Sequence, residues 1–498
     1  MITISYGRLK PVAFAYLILP VIIFFIGFVK FYFAVPACAA LILSYYFALR
    51  KRNGAETDER KINIKIADLL ILAVIALVWC YLGGLNGFFF QSNDWPWRNA
   101  IYRDIVFKDW PVIYPQKGSA LVYYIGFWLV PSLPAKFIMA ITGSVRITWF
   151  VARMALWLWS AAGVFLVFIL LNVYLNANSR LRRYFIPLLF IFFSGMDIIG
   201  CLLTKNFNGL SEKDLHIEWW ANFIQYSSNT TLLYWVFNQT VLPWLAVICF
   251  LSEKTPQNYM LIGISCFCCG PLAFVGLVFL MLAKWTISFV SFIKEQSLLT
   301  HLKNTFTLGN ILILIFCFPA LAVYYLCNLT VESSDTGYLI DITPYNIKVY
   351  IAFFALEAGI YLFLVWFRNL KNPFFYATAL SLAVIPFFRL GDTMDFCMRA
   401  SIPSLFVLFV FCAEALLDYR GKGKKYYKRL CTAALAVFLA VGTVTPGMEI
   451  YRGVYNCIKN KTVRLAKEEF ESIGDLDIAN NFTADNYTSS IFFKYFSK

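Results

Sequence analysis

The sequence predicts an all-α polytopic membrane protein, and two observations point to that class. Hydrophobic residues make up 60% of the 498 residues and charged residues only 14%, with a mean hydropathy of +0.67. A soluble domain carries about 25% charged residues, so this chain is too apolar to be one. Apolar runs of about 17 to 25 residues also recur from end to end, and each is long enough to cross a bilayer as a helix.

The basic residues predict how the chain is oriented. The net charge is +15, and lysines and arginines gather in short segments between apolar runs, at 50–52, 180–183 and 420–429. This is the positive-inside pattern, which places those segments in the cytoplasm. We therefore expect a multi-pass protein of the cell membrane with a cytoplasmic amino terminus and an outer carboxy terminus. The same dispersal of charge argues against a nucleic-acid partner.

The first half of the chain predicts five crossings and one interfacial helix. The crossings are, in order, 11–29, 32–49, 67–85, 147–175 and 184–203. Between the third and the fourth, Pro131 and Pro134 cut an apolar run too short for an easy span. We interpret that run as a helix lying in the membrane interface. Three crossings between 118 and 180 would give the same sidedness.

The second half adds eight crossings, for a total of about thirteen. They are a return inward from 242, two helices within 259–290 that meet near Gly270 and Pro271, and runs at 311–327, 349–367, 374–389, 401–417 and 430–444. We expect one membrane unit over residues 1–447, with outer loops at 86–146 and 204–240. A short extracytoplasmic appendage over 448–498 follows it.

A polar, tryptophan-rich segment at 88–118 interrupts the apolar pattern and is the first place to look for chemistry. Asp94, in QSNDWPW, follows the point where a helix should leave the bilayer. A carboxylate partly desolvated by the tryptophans on either side of Pro96 is a candidate general base. The alternative is a helix cap paired with Arg98 at i,i+4. Asp104 is the weaker candidate, because a lysine one helical turn later could pair with it.

The second outer loop carries many amide, hydroxyl and aromatic side chains, which suit the hydroxyl edge and apolar face of a sugar. An interfacial aromatic belt explains them equally well. The candidates are His216, Glu218, Trp219, Gln225, Tyr226, Asn238 and Gln239. A histidine-based metal site is not expected, because the chain has two histidines and side chains at i,i+2 diverge on a helix.

Two further ionisable sites lie close to predicted spans. Asp197 falls inside an apolar run, where a carboxylate is costly and marks either a polar cavity or a structural hydrogen bond. Arg399 opens a late span at the depth of a lipid phosphate, and its guanidinium suits two contacts to phosphate oxygens. Snorkelling as an interfacial anchor is the alternative. Asp392 and Asp395 could orient Arg399 or neutralise it.

The order of these elements resembles the GT-C superfamily of polytopic glycosyltransferases. The resemblance rests on NDWPWRNAIYRD with its two aspartates, on the aromatic segment YYIGFWLVPSLPAKF, on FVARMALW with Arg153, and on MDFCMRASIPSL. It implies a polyprenyl-phosphate sugar donor and inverting transfer to a hydroxyl of a cell-surface polymer or lipid. Many members have two adjacent acidic residues in the first loop, whereas here Asn93 precedes Asp94.

The resemblance also implies roles for particular residues. Asp94, with Asp104 as the alternative, would deprotonate the acceptor hydroxyl, and Arg399 would stabilise the leaving phosphate. Secondary contacts would come from Arg98, Arg103, Lys117 and Arg153. With such cations available, a divalent metal is not required, and the lipid-phosphate sugar is a co-substrate rather than a cofactor. A transporter, flippase or polymerase of lipid-linked saccharides is the alternative function, since such a cavity would suit that cargo as well.

Overall fold

The computed structural model is mostly helical (78%) with little sheet. It describes residues 1–50, 60–207, 216–294, 297–328, 343–390, 394–418, 426–460, 472–475 and 481–498. Within these residues, seven helices are long and apolar enough to cross a membrane, or eight if one sharply bent pair counts as a span. The predicted class, an all-helical multi-pass protein, is confirmed at that level.

Within the described residues, the first half of the chain forms eight helices, and those at the first four predicted crossings lie close to the predicted bounds. The eight helices are Tyr6–Phe28, Phe31–Leu49, Ile66–Leu82, Trp95–Phe107, Gly126–Thr142, Val145–Tyr174, Arg180–Ile191 and Asp197–Thr204. The predicted crossing at 184–203 is not one helix, because the chain leaves helical geometry at 193–196. Gly195 lies against Glu357 there, and a Cβ on it would fall 1.7 Å from a carboxylate oxygen. Close packing therefore fixes this break.

The second half is more interrupted. Its helices are Asn229–Val236, Val241–Ser252, Tyr259–Cys269, Pro271–Lys294, Leu298–Thr305, Leu308–Phe316, Phe318–Leu326, Pro344–Phe354, Ile360–Asn369, Pro373–Val384, Asp395–Ala400, Ile402–Leu417, Tyr426–Gly442 and Val444–Asn460. The predicted break near Gly270 and Pro271 is confirmed, because one helix ends at Cys269 and the next begins at Pro271. Proline cannot supply the amide that would continue the first helix. The predicted boundary at 447 falls inside the last helix.

Two of these segments depart from regular helix in ways that shape the interior. The helical segments Asn229–Gln239 and Val241–Ser252 meet at an angle of 101°, as in a broken span or a re-entrant loop. Residues Ala355–Gly359 form a π-helical turn that joins two α-helices of one long apolar element. π-turns within helices are frequently found at functional sites. Both irregular segments contain buried polar side chains, Asn238 in the first and Glu357 in the second.

Basic residues gather at the end of the helices where the amino terminus lies. The strand Ile2–Ser5 pairs antiparallel with Lys61–Ile64, and Arg183 bonds to the carbonyl of Asn63 in the second strand. Arg183 also forms a 2.8 Å ion pair with Asp68, which is buried. The predicted basic residues 51–52 and 420–425 lie outside the described residues.

The carboxy-terminal residues pack onto the opposite end, against the first polar loop. Strand Thr483–Asp485 completes an antiparallel three-stranded sheet with Ile113–Tyr114 and Ser119–Leu121. Farther along the tail, Phe492 is fully buried and packs against Phe24 and Tyr324. The tail is therefore joined to the helical core rather than separate from it.

Candidate functional site

A cavity of about 670 Å³ opens among the polar loops at the end opposite the basic residues. The first loop, the second loop and the segments around 346, 389 and 395 all contribute to its wall. Six residues singled out from the sequence line it, namely Asp94, His216, Trp219, Gln225, Asp395 and Arg399. Trp235, an aromatic residue of the second loop, also lines it, and sequence reasoning missed other lining residues, among them Asn222 and Asn346. Residues from distant parts of the chain thus converge on one hollow.

Asp94 stands directly before the helix Trp95–Phe107 and faces the cavity. Its side chain makes no capping hydrogen bond, so the capping role considered from the sequence is not found. The predicted pair with Arg98 is present, and Nη2 of Arg98 lies 2.9 Å from Oδ2 of Asp94. The aspartate side chain is about half exposed while the arginine is buried. Asp94 is therefore an ionisable group that is open to a ligand and held from one side.

Arg399 belongs to the short helix Asp395–Ala400 and is 6% exposed. Its Nη1 lies 2.9 Å from Oδ2 of Asp395, as the i,i+4 spacing allows. Its Nε is buried and has no hydrogen-bond partner among the described residues. Burial works against the charge of Arg399, but Asp395 and then Tyr123 outweigh it, so its pKa is raised. Asp392, predicted as a second orienting residue, lies outside the described residues.

His216 and two tryptophans form one wall of the cavity. The imidazole packs against the indoles of Trp235 and Trp219, with ring centroids 4.0 and 5.0 Å away. Nδ1 of His216 lies 3.0 Å from Oε1 of Glu449. Glu449 also accepts a 3.0 Å hydrogen bond from Nε1 of Trp235 and pairs with Arg452. This wall is therefore held in place from behind by a residue of the last helix.

Sequence reasoning placed Glu449 in the appendage and missed its part in the site. The sequence offered one signal, because Glu449, Arg452 and Asn456 recur at helical spacing. The structure shows that all three are buried. Polar residues that share one helical face in an otherwise apolar protein indicate a polar neighbour. That neighbour is His216, which no local pattern identifies.

Glu218 lies behind the wall rather than on it. Its two oxygens accept hydrogen bonds from Nε2 of Gln225 at 2.7 Å, from the hydroxyl of Thr231 at 2.6 Å and from the amide of Ser228 at 3.0 Å. Burial, and secondly the charge of Asp197, raises the pKa of Glu218 to about 7. Because Gln225 and Thr231 line the cavity, Glu218 fixes the orientation of two cavity residues.

Asp104, the alternative base, lies outside the cavity. It is 2% exposed, and its Oδ2 accepts hydrogen bonds from the hydroxyls of Tyr114 at 2.6 Å and Ser472 at 3.0 Å and from the amide of Ile473 at 3.0 Å. Burial raises the pKa of Asp104, while these donors act in the opposite direction. Asp104 therefore ties the carboxy-terminal segment to the first loop.

The remaining predicted residues do not line the cavity. Arg98 also donates a 3.3 Å hydrogen bond to Asn238, which is buried beneath the Asp94 pair. Asp197 accepts hydrogen bonds from Thr445 and Ser194 in the interior. Arg103 and Arg153 place their guanidinium groups over the rings of Phe107 and Phe88. Lys117 is exposed, the hydroxyl of Tyr226 donates to the carbonyl of residue 382, and Gln239 is buried.

Neither metal chemistry nor similarity to known proteins assigns the cavity a function. Within the described ranges, no group of three or more His, Cys, Asp and Glu side chains could hold a metal ion. No protein-family model, curated protein or solved structure matches the chain. Any assignment of function therefore depends on the residues of the cavity themselves.

Proposed function

We propose that this protein is a membrane glycosyltransferase of the GT-C type. It moves a sugar from a polyprenyl-phosphate donor to a hydroxyl of a cell-surface polymer or lipid on the outer face, with inversion. The observation that carries the proposal is the convergence of Asp94 and Arg399 on one cavity. A base for the acceptor and a cation for the leaving phosphate are the two groups that this reaction needs on opposite sides of the reacting carbon.

Arg399 would bind the phosphate of the donor. Its Nη1 pairs with Asp395, and Arg399 lines the cavity, where its guanidinium would donate to a phosphate oxygen of the ligand. When the bond between the sugar and the phosphate breaks, negative charge grows on the phosphate. A fixed cation in a poorly hydrated site stabilises that charge by about 3 kcal/mol or more.

Asp94 would accept the proton of the acceptor hydroxyl. The acceptor oxygen then attacks the anomeric carbon, and the electron pair of the breaking carbon–oxygen bond goes to the phosphate, which leaves with the polyprenyl chain. A single displacement of this kind inverts the anomeric centre. Arg98 holds Asp94 from the side away from solvent. A positioned general base contributes about 100- to 10,000-fold to such a step.

The aromatic wall supports a sugar as the transferred group. Indole rings at Trp219 and Trp235 offer apolar faces, and Gln225, Asn222 and Asn346 offer amides in the same hollow. Ligand pockets generally enclose about 300 to 1,000 Å³. A cavity of about 670 Å³ has room for a monosaccharide with its phosphate.

The proposed membrane arrangement has about thirteen crossings, each close to the hydrocarbon thickness. Besides the long helices, it uses shorter apolar ones such as Ile66–Leu82, Pro373–Phe387 and Ile402–Leu417. Gly126–Thr142 lies in the interface. Basic residues at the end that carries the amino terminus favour a cytoplasmic position for that end. The cavity and the carboxy terminus are then extracytoplasmic.

A transporter or flippase of lipid-linked saccharides is a second candidate, and one observation favours it. Asp197 and Glu357 are buried next to each other, where the broken helix at 193–196 meets the π-turn Ala355–Gly359. Interrupted helices with buried ionisable residues are typical of ion-coupled transporters. A polymerase that joins lipid-linked saccharides would use the same cavity with a larger donor.

The decisive experiment supplies the purified, reconstituted protein with synthetic polyprenyl-phosphate sugars and a hydroxyl acceptor. We expect release of polyprenyl phosphate together with a glycosylated acceptor, and we expect Asp94→Asn to abolish both. In parallel, a fluorescent lipid-linked sugar in sealed vesicles reports transbilayer movement. Movement without release of polyprenyl phosphate would replace the transferase proposal with the transporter.

A further inference from the structure

On the aromatic wall, His216 combines an orienting partner with a second ring nitrogen that has no hydrogen-bond partner among the described residues, and its side chain is 3% exposed. Nδ1 lies 3.0 Å from Glu449, whereas Nε2 has no hydrogen-bond partner in the described part of the chain. His216 is one of the residues that line the cavity. Nε2 is therefore the atom that a ligand in the cavity can reach.

Glu449 determines what that nitrogen can do. A carboxylate can only accept hydrogen bonds, and Glu449 already accepts one from Trp235 and pairs with Arg452. Nδ1 of His216 therefore carries the proton that points to Glu449. In the neutral imidazole, Nε2 then holds a lone pair and accepts a hydrogen bond. Trp219 and Trp235 pack against the ring, with centroids 5.0 and 4.0 Å from that of the imidazole.

We propose that His216, oriented by Glu449, binds the sugar of the donor. Its Nε2 accepts a hydrogen bond from one hydroxyl of the sugar ring. The inference rests on the proposed function, because it places the donor phosphate at Arg399 in the same cavity. A sugar attached to that phosphate has to occupy the remainder of the hollow. His216 is therefore a specificity-determining residue. It selects donors whose neutral sugar carries a hydroxyl next to Nε2.

The openness of Nε2 can be measured without any substrate. The chain has two histidines, and His301 is fully buried and lies outside the cavity lining. In the His301→Asn variant, diethyl pyrocarbonate should therefore modify one histidine, recorded by absorbance at 240 nm. Lack of modification in this folded variant would show that Nε2 is closed and would overturn the inference.

The contact to the sugar is measured by the KM for the donor that the wild type uses fastest. The amide nitrogen of asparagine replaces Nδ1, and the terminal amide of glutamine replaces Nε2. His216→Asn should raise the KM for the donor about tenfold, the worth of one neutral hydrogen bond. His216→Gln should stay within about threefold of the wild type, and the KM for the acceptor should not change in either variant.

Glu449 acts through His216 and is a positioning residue. Glu449→Gln keeps an oxygen for Nδ1 and should preserve the KM for the donor, while Glu449→Leu should raise it as His216→Asn does. If the wild type is active and His216→Asn has an unchanged KM for the donor, the contact to the sugar is refuted and the transferase proposal is not affected. If the wild type releases no polyprenyl phosphate from any donor, the transferase proposal and the sugar contact at His216 are both refuted.

Discussion

Replacing each of the two candidate bases by its amide should separate catalysis from structure. Asp94→Asn and Asp104→Asn are isosteric changes that remove one negative charge each. Asp94 is half exposed and lines the cavity, whereas Asp104 is buried and bonded to the carboxy-terminal segment. We expect the first variant to lose activity at unchanged stability, and the second to lose stability with most of its activity retained.

The magnitudes depend on the surroundings of each aspartate. The pair between Asp94 and Arg98 is partly open to solvent, so its loss costs about 0 to 1 kcal/mol of folding stability. Loss of a general base lowers kcat about 100- to 10,000-fold. Oδ2 of Asp104 instead accepts hydrogen bonds from Tyr114, Ser472 and Ile473. Disrupting buried hydrogen bonds of this kind costs about 1 to 3 kcal/mol.

The assay measures both quantities on the same preparation. Release of polyprenyl phosphate gives kcat, and thermal unfolding in detergent gives Tm. Limited proteolysis adds a third readout, since Asp104→Asn should expose the carboxy-terminal segment to cleavage. If Asp104→Asn folds like the wild type and loses turnover while Asp94→Asn keeps it, the assignment of the base is refuted.

Three further predictions concern the phosphate site, the pH response and the tail. Arg399→Ala should raise the KM for the donor at least tenfold, and Arg399→Lys should raise it less. Arg368→Ala breaks an ion pair at the opposite end and should leave the kinetics unchanged. If Arg399→Ala and Arg368→Ala change the KM equally, the phosphate role of Arg399 is refuted. Burial and then Asp197 raise the pKa of Glu218 to about 7 from 4.5, so the folded form keeps a proton. The contribution of protonated Glu218 to the free energy of unfolding is about 3 kcal/mol. It is fully present below pH 4.5 and is lost as the pH rises through 7. Tm should therefore fall from pH 5 to 8, and Glu218→Gln should flatten that slope; an equal slope in both proteins would contradict it. Phe492→Ala removes a fully buried ring and should cost about 3 to 5 kcal/mol, read as a lower Tm, whereas an unchanged Tm would show that the tail is not part of the core.

Local pattern was sufficient to predict the helices and a break at proline, but not a break that depends on a distant contact. Long apolar runs and proline positions are local signals, which is why the break between Cys269 and Pro271 was predictable. The break at 193–196 depends on a contact with Glu357, far along the chain. A pattern read along the sequence carries no such information, so one continuous helix was predicted there.

The same distinction applies to the candidate site. Asp94 and Arg399 are charged residues next to apolar runs, and residue type alone singled them out. The burial of Asp104 depends on Ser472, and the role of Glu449 depends on His216, over 200 residues away. Those partners are brought together by the fold of the carboxy-terminal segment. That fold is why the predicted appendage proved to contain part of the wall.

A structure determined with a bound polyprenyl-phosphate sugar would examine the proposed contacts to phosphate and sugar together. We predict the phosphate within hydrogen-bond distance of the guanidinium of Arg399, with the sugar in the cavity between Asp94 and His216. Density for the phosphate at the opposite end of the helices, or a sugar far from Asp94 with the phosphate elsewhere, would contradict the transferase proposal.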